Sequence, residues 1–391
     1  MTSILNSSVL GALRIAAEEQ QKQLLALLRQ MVEIESPSED RAACSRCVEF
    51  VAEECGKAGA RVRVHGRKSS GGMLEARFGP VRRGQKPLLL LGHLDTVWPM
   101  GTLGVMPFRI TEERVAGPGV LDMKAGVAMA IVALQILTEK QMLDRQVILL
   151  LSCDEETGSR DSRAMIERIA SACSAVFVLE PAQGLSGAYK TARKGVGSYT
   201  VRVEGIAAHS GVDFEKGHSA VLELARQIPI LSEFTELDRG ITVNAGTVSG
   251  GTRSNVIAAE AEAEVDVRIA RKADAARIDR RFRSLRAVDK ACKLTVSGGI
   301  NRPPMERTRA TAALFRHATT LAAGLGFTLE EASTGGGSDG NFTSALGVPT
   351  LDGMGAVGEG AHARHESLLL AHLAPRTALL AAMIASLPLK N

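Results

Sequence analysis

Short, unbroken apolar runs alternate with helical stripes over the first half of the chain. Residues 87–91 read Pro-Leu-Leu-Leu-Leu and residues 146–152 read Gln-Val-Ile-Leu-Leu-Leu-Ser. Runs this short and this apolar suit strands covered on both faces, as at the centre of a parallel sheet. Residues 60–64, 73–78 and 175–179 read as three more strands. Between them, helical spacing appears over 15–34, 39–56, 125–138 and 160–170. The first of these stops before Ser36-Pro37, because a residue preceding proline is driven out of the helical region. Strands alternating with helices in this way predict an α/β sandwich on a mixed, mostly parallel sheet.

From Gly195 the rhythm changes. Strand 197–204, helix 217–232, strands 241–249 and 256–269, helix 273–287 and strand 291–298 spell β-α-β-β-α-β. That order is the split unit of ferredoxin-like folds, so we expect an inserted α+β domain over 196–303. Near Met305 the first pattern resumes, with a helix at 308–325, a short strand near 327–331, a Gly-rich loop, a run at 348–351 and a helix at 372–387. The first domain is then discontinuous, covering 1–195 and 304–391.

Composition narrows the function. With 391 residues, 45% of them apolar, the chain can bury the cores of two domains. Its 47 basic and 43 acidic side chains leave a net charge of only +4, and aromatics are 3% of residues, so no basic or stacking surface for nucleic acid is expected. The first residues lack a basic start followed by an apolar core, and no stretch of about 18 apolar residues stands out; neither secretion nor a membrane span is expected. Six scattered cysteines fit reduced thiols in the cytoplasm. Cys44, Cys47 and Cys55, with Val48 and Val51, fall on one helical face and read as a buried stripe rather than a metal site.

The chemistry lies in five motifs: Gly92-His93-Leu94-Asp95-Thr96, Gly119-Val120-Leu121-Asp122-Met123-Lys124, Asp154-Glu155-Glu156-Thr157-Gly158, Leu179-Glu180-Pro181 and Gly360-Ala361-His362. Most follow apolar runs, and the C-terminal ends of strands are where α/β sheets build their sites. Acids and histidines gathered beside apolar strands are costly to bury unless something compensates them, and metal ions do so well. Two histidines and three carboxylates suit a pair of zinc ions sharing one carboxylate, with cobalt and manganese compatible alternatives.

These motifs, in this order, resemble the dinuclear zinc peptidase family that includes aminoacylases, succinyl-diaminopimelate desuccinylases and bacterial glutamate carboxypeptidase, the last branch most of all. The resemblance covers nearly the whole chain and implies a role for each residue. His93 and Glu180 would hold one zinc, Glu156 and His362 the other, with Asp122 between them. Asp95 would fix the tautomer of His93, and Glu155 would be the general base acting on a bridging water. His365 competes with His362, which is preferred for its Gly-Ala approach and its spacing to Glu366. His209 would reach a partner subunit's site and polarise the scissile carbonyl, making the inserted domain a lid and dimerisation module of a homodimer. Asn255 and Arg268 would lie near the substrate carboxylate, and Gly335, Gly336 and Gly337 offer backbone amides to it. Arg302 could join them, against the competing reading of a surface arginine at a hinge. Several relatives carry a second acid where this chain has Met123, and the family often has a cis peptide there, expected here at Asp122–Met123. The implied reaction is hydrolysis of an amide bond that releases a C-terminal amino acid, glutamate among the candidates, from a peptide or N-acyl amino acid. Aminoacylase or dipeptidase activity is the alternative within the family, and a non-catalytic metal-binding relative is the alternative outside catalysis.

Overall fold

The apolar runs form the middle of a six-stranded sheet in this computed structural model, which describes residues 5–66 and 69–387. Leu88–His93 lies between Val147–Ser152 and Ala175–Val178 and is parallel to both. Thr350–Leu351 adds a further parallel strand, while Met73–Phe78 and Arg61–His65 complete the other edge in antiparallel fashion. The sheet is thus mixed and mostly parallel. Every residue of Leu88–His93 and Val147–Ser152 is buried, because helices cover both faces. Leu88, Leu90, Leu149 and Leu151 point into the larger core; Leu89, Leu91, Ile148 and Leu150 meet Met165, Ile166 and Ile169 of the helix Arg163–Ser171 on the other face.

The helix Ala125–Glu139 is apolar on nearly every side and packs against Gln21–Glu33 and Leu373–Ser386. Together with the turn before it, Val120–Glu139 is long and apolar enough to cross a membrane, contrary to the expectation that no such stretch exists. It is a core helix instead, with 89% of its most apolar stretch buried inside the protein. Gly126 lets it sit this close: a Cβ there would lie 2.0 Å from the Leu179 carbonyl oxygen.

Three differences from the expected elements have local causes. The stripe expected over 15–34 begins earlier and is two helices, Ser7–Glu19 and Gln21–Glu33, the first capped by the Asn6 side chain on the Val9 N–H at 2.9 Å. The strand near 327–331 lies instead at Glu331–Thr334, where it pairs with Tyr189–Arg193. A small sheet of Gly358–Glu359, Ser367–Leu369, Arg114–Ala116 and Arg109–Ile110 is built from strands too short to show a period.

The chain divides into two compact units, one of Met1–Ala192, Arg307–Thr334 and Ser338–Asn391, the other of Arg193–Glu306 with Gly335–Gly337. The second is a four-stranded antiparallel sheet in the order Thr242–Gly250, Glu260–Ile269, Gly195–Glu204, Lys293–Arg302. The first and third strands in sequence are central, as the split β-α-β arrangement requires. Alternation of buried residues with half-buried or exposed ones along Gly195–Glu204 marks one covered face, where Tyr199 stacks on Phe282 with ring centroids 3.9 Å apart. The Gly-rich loop joins this unit because Arg193 Nη1 donates to the Gly336 and Gly337 carbonyls at 3.2 and 3.1 Å.

Candidate metal centre

Three neighbouring strands deliver the first-unit residues. Leu88–His93 ends in His93, Val147–Ser152 runs into the turn carrying Glu155 and Glu156, and Ala175–Val178 leads to Glu180. Asp122 comes from the turn before Ala125–Glu139, where the Asp122–Met123 peptide is cis. His362 stands on a loop with φ of 63°, a left-handed conformation rare outside glycine.

Among the described residues, two trios offer ligand atoms within 4.8 Å of one another: His93, Asp122 and Glu180, and Asp122, Glu156 and His362. Asp122 belongs to both. His93 Nε2 lies 3.4 Å from Asp122 Oδ1 and 3.6 Å from Glu180 Oε1. His362 Nε2 lies 3.4 Å from Asp122 Oδ2 and 3.2 Å from Glu156 Oε1. The two carboxylate oxygens of Asp122 therefore face different imidazoles. His365 is exposed, packed near Gly360, and takes no part in either trio.

The electrostatics suit a cation. Burial disfavours charge on His93, but Asp122, Asp95 and Glu180 outweigh it and raise its pKa well above the ordinary imidazole value. Asp122 and Glu156 push His362 up to about 10. Burial would raise the Asp122 pKa, yet His362 and His93 hold it well below the usual carboxylate range. Burial raises Glu156. His93 Nε2 and Asp122 Oδ1 are buried and have no aligned hydrogen-bond partner among the described residues. Such orphans are rare in folded proteins. A divalent ion would satisfy both, and imidazole nitrogens with carboxylate oxygens form a donor set that zinc, cobalt and manganese accept.

Asp95 organises the surroundings through both its backbone carbonyl and its carboxylate. His93 Nδ1 pairs with the Asp95 backbone carbonyl at 2.9 Å, while its carboxylate Oδ1 lies at 3.5 Å. The carboxylate instead accepts from the Glu155 N–H at 3.3 Å, the Glu156 N–H at 3.2 Å and Ser38 Oγ at 2.7 Å. It thus anchors the turn that presents both glutamates. Glu155 is half-buried beside Glu156. Glu366 and Trp98, to which the sequence reading gave no role, also meet here: Glu366 accepts from the Asp122 N–H at 3.1 Å and from Trp98 Nε1 at 2.8 Å. The spacing of Glu366 four residues after His362 was visible in the sequence; the contact with Trp98, 268 positions away, was not.

The remaining candidates lie in the second unit. His209 is exposed, and its Nδ1 accepts from the Gly211 N–H at 3.2 Å, which makes Nε2 the donor nitrogen of the neutral ring. The Asn255 carbonyl accepts from Ser210 N–H at 3.0 Å, which fastens the His209 loop beside Asn255. Arg268 forms a two-point pair with Asp266, both bonds at 2.9 Å, and donates to the Gly335 carbonyl at 3.4 Å. Arg302 is only 5% exposed, so the surface-arginine reading is wrong. Its side chain lies against Gly337.

Residues 89–386 match the sequence profile of peptidase family M20/M25/M40. Carboxypeptidase G2 of Pseudomonas sp. (strain RS-16) is 28% identical over 378 residues, covering 94% of this chain and 90% of its own. Among solved structures, aminopeptidase PepT from Bacillus cereus ATCC 10987 superposes with a TM-score of 0.79 at 21% identity, over 94% of this chain and 98% of its own. The M20 family metallo-carboxypeptidase Sso-CP2 from Sulfolobus solfataricus gives 0.74 at 16% identity, over 93% and 98%. These two likenesses speak for the fold. The family implies divalent metal use, and with the ligand trios in place the chain belongs to peptidase family M20/M25/M40, as a metallopeptidase of the carboxypeptidase and aminoacylase type.

Proposed function

We propose that the protein hydrolyses an amide bond and releases a C-terminal amino acid from a peptide or N-acyl amino acid, using two divalent ions and Glu155. The observation that carries this reading is the shared ligand: Asp122 presents one oxygen to the His93 side and the other to the His362 side. Two ions bound there would polarise the scissile carbonyl and lower the pKa of a water to near neutrality.

The chain's own groups do the rest. Glu155, on the turn held by Asp95, takes the proton from the attacking water and delivers it to the leaving amine. Asp95 keeps His93 in the tautomer whose Nε2 faces the ligands. His209, with its proton on Nε2, donates to the developing oxyanion. Arg268, Asn255 and the Gly335–Gly337 backbone receive the released residue's carboxylate, with Arg302 beside the same loop. Arginine suits this because its planar fork matches a carboxylate at two points, a mode Arg268 already uses on Asp266.

His209 serves the site of a second subunit in this reading, which makes the protein a homodimer. Thr242–Gly250 is an edge strand, and Val248 on it is 55% exposed. An exposed edge of this kind is a surface for pairing with another copy. Zinc is the ion we assign, and the cytoplasm the compartment, since all six cysteines are free and buried.

The test is a panel of N-acyl and peptidyl amino acids that differ only in the released residue, assayed on protein reconstituted with each metal. Turnover limited to substrates with a free C-terminal carboxylate, strongest for glutamate, is the expected result. Preference set by the acyl group alone would favour an aminoacylase, and cleavage restricted to dipeptides a dipeptidase. No metal-dependent turnover of any member would overturn the reading.

A further inference from the structure

We propose that Glu366 is a positioning residue: its buried carboxylate holds the backbone turn of Asp122 and the loop of His362 in ligand geometry before any metal binds. The inference rests on the two-metal reading above and deepens it.

Glu366 is 1% exposed, and four N–H donors converge on it. Oε1 accepts from the Leu121 N–H at 2.9 Å and the Asp122 N–H at 3.1 Å. Oε2 accepts from the Gly119 N–H at 2.9 Å and Trp98 Nε1 at 2.8 Å. A buried carboxylate is costly unless it is hydrogen-bonded, and here both oxygens are doubly satisfied. Three of the donors are backbone groups of a single turn, so the carboxylate acts as a template on which Gly119–Asp122 is wound. Glu366 itself closes the loop of His362: Ala363 N–H bonds the Gly360 carbonyl at 2.8 Å, and Glu366 N–H bonds the Ala363 carbonyl at 2.9 Å. One side chain thereby ties two ligand-bearing segments together.

Only a carboxylate does this. An ionised acid accepts at both oxygens and donates nothing, whereas an amide at the same place turns an NH2 group toward two N–H donors. Trp98 is the single tryptophan of the chain, so its emission is a direct probe of the carboxylate it bonds.

The experiment titrates metal-free wild type, Glu366→Gln and Trp98→Phe with Zn2+, following heat and, where Trp98 is present, its fluorescence. Far-UV circular dichroism and gel filtration establish that each variant is folded. The expected result is that wild type and Trp98→Phe, which keeps the three backbone bonds, take up two equivalents with similar affinity. Folded Glu366→Gln binds at least one of them about 10- to 100-fold more weakly, the range for groups that orient ligands, and its Trp98 emission is shifted already in the metal-free state. Wild-type affinity for both equivalents in folded Glu366→Gln overturns the proposal. Failure of wild type to bind two ions is a different outcome, since it removes the two-metal reading and this inference with it. Should Glu366→Gln not fold, hydrogen exchange on metal-free wild type decides. Protection across 119–122 supports a turn held by Glu366 without metal, and exchange as fast as in exposed loops contradicts it.

Discussion

At the residue scale, adjacent glutamates take different work. Glu156 faces His362, and Glu155 does not belong to either ligand trio. Changing Glu155 to Gln should therefore leave metal content unchanged while kcat falls by about 10²- to 10⁴-fold, the usual contribution of a positioned acid–base group. Parallel metal analysis and steady-state kinetics check this; loss of metal along with activity would make Glu155 a ligand instead. The histidines predict a pH effect with a definite sign. In metal-free protein the His362 pKa stands at about 10, above the value of an unfolded chain. Its contribution to stability is complete below about pH 6.5 and is lost as pH rises through about 10. The side chain is half exposed, so screening keeps the effect small. Metal displaces these protons, so binding at neutral pH should release protons from His93 and His362, and affinity should rise with pH. Calorimetry in buffers of differing ionisation enthalpy reads the released protons directly; their absence would mean that these imidazoles are not ligands. The trios were legible in the sequence because each motif abuts an apolar strand or a Gly-rich turn. Glu366 showed only as a spacing from His362, and its contacts, like those of Trp98 and Ser38, were not legible because the partners lie far off in the chain.

At the element scale, the site depends on how closely Ala125–Glu139 approaches the strand ahead of Glu180. Gly126→Ala would set a methyl against the Leu179 carbonyl, only 2.0 Å away in the present packing. We expect a loss of about 1–3 kcal/mol, as for other overpacked cores, with weaker metal binding because Glu180 follows Leu179 directly. Thermal melts with and without metal measure both; an unchanged melting temperature would show that the helix end moves freely. Doubly covered strands such as Val147–Ser152 were easy to read, since burial on both faces leaves an unbroken apolar run. The sheet containing Arg109–Ile110 and Gly358–Glu359 was unreadable, as two residues cannot display a period. Gln20, where one stripe becomes two helices, is an ordinary helix former and signals no break.

At the scale of the whole molecule, the split β-α-β pattern announced the second unit, while the arginine contacts that draw Gly335–Gly337 into it carry no sequence period. The proposed exchange of His209 between subunits has a direct consequence. Mixing Glu155→Gln with His209→Ala subunits should restore activity to about a quarter of wild type, because half of randomly reassorted dimers then contain one intact site. No recovery despite confirmed subunit exchange would place His209 in its own subunit's site or outside catalysis. The central claim, however, is the pair of ions that share Asp122, and anomalous diffraction from metal-loaded crystals tests it most directly. We predict two anomalous peaks, one against His93 and Glu180 and the other against Glu156 and His362, with an Asp122 oxygen facing each. A single peak, none, or peaks away from Asp122 would contradict it.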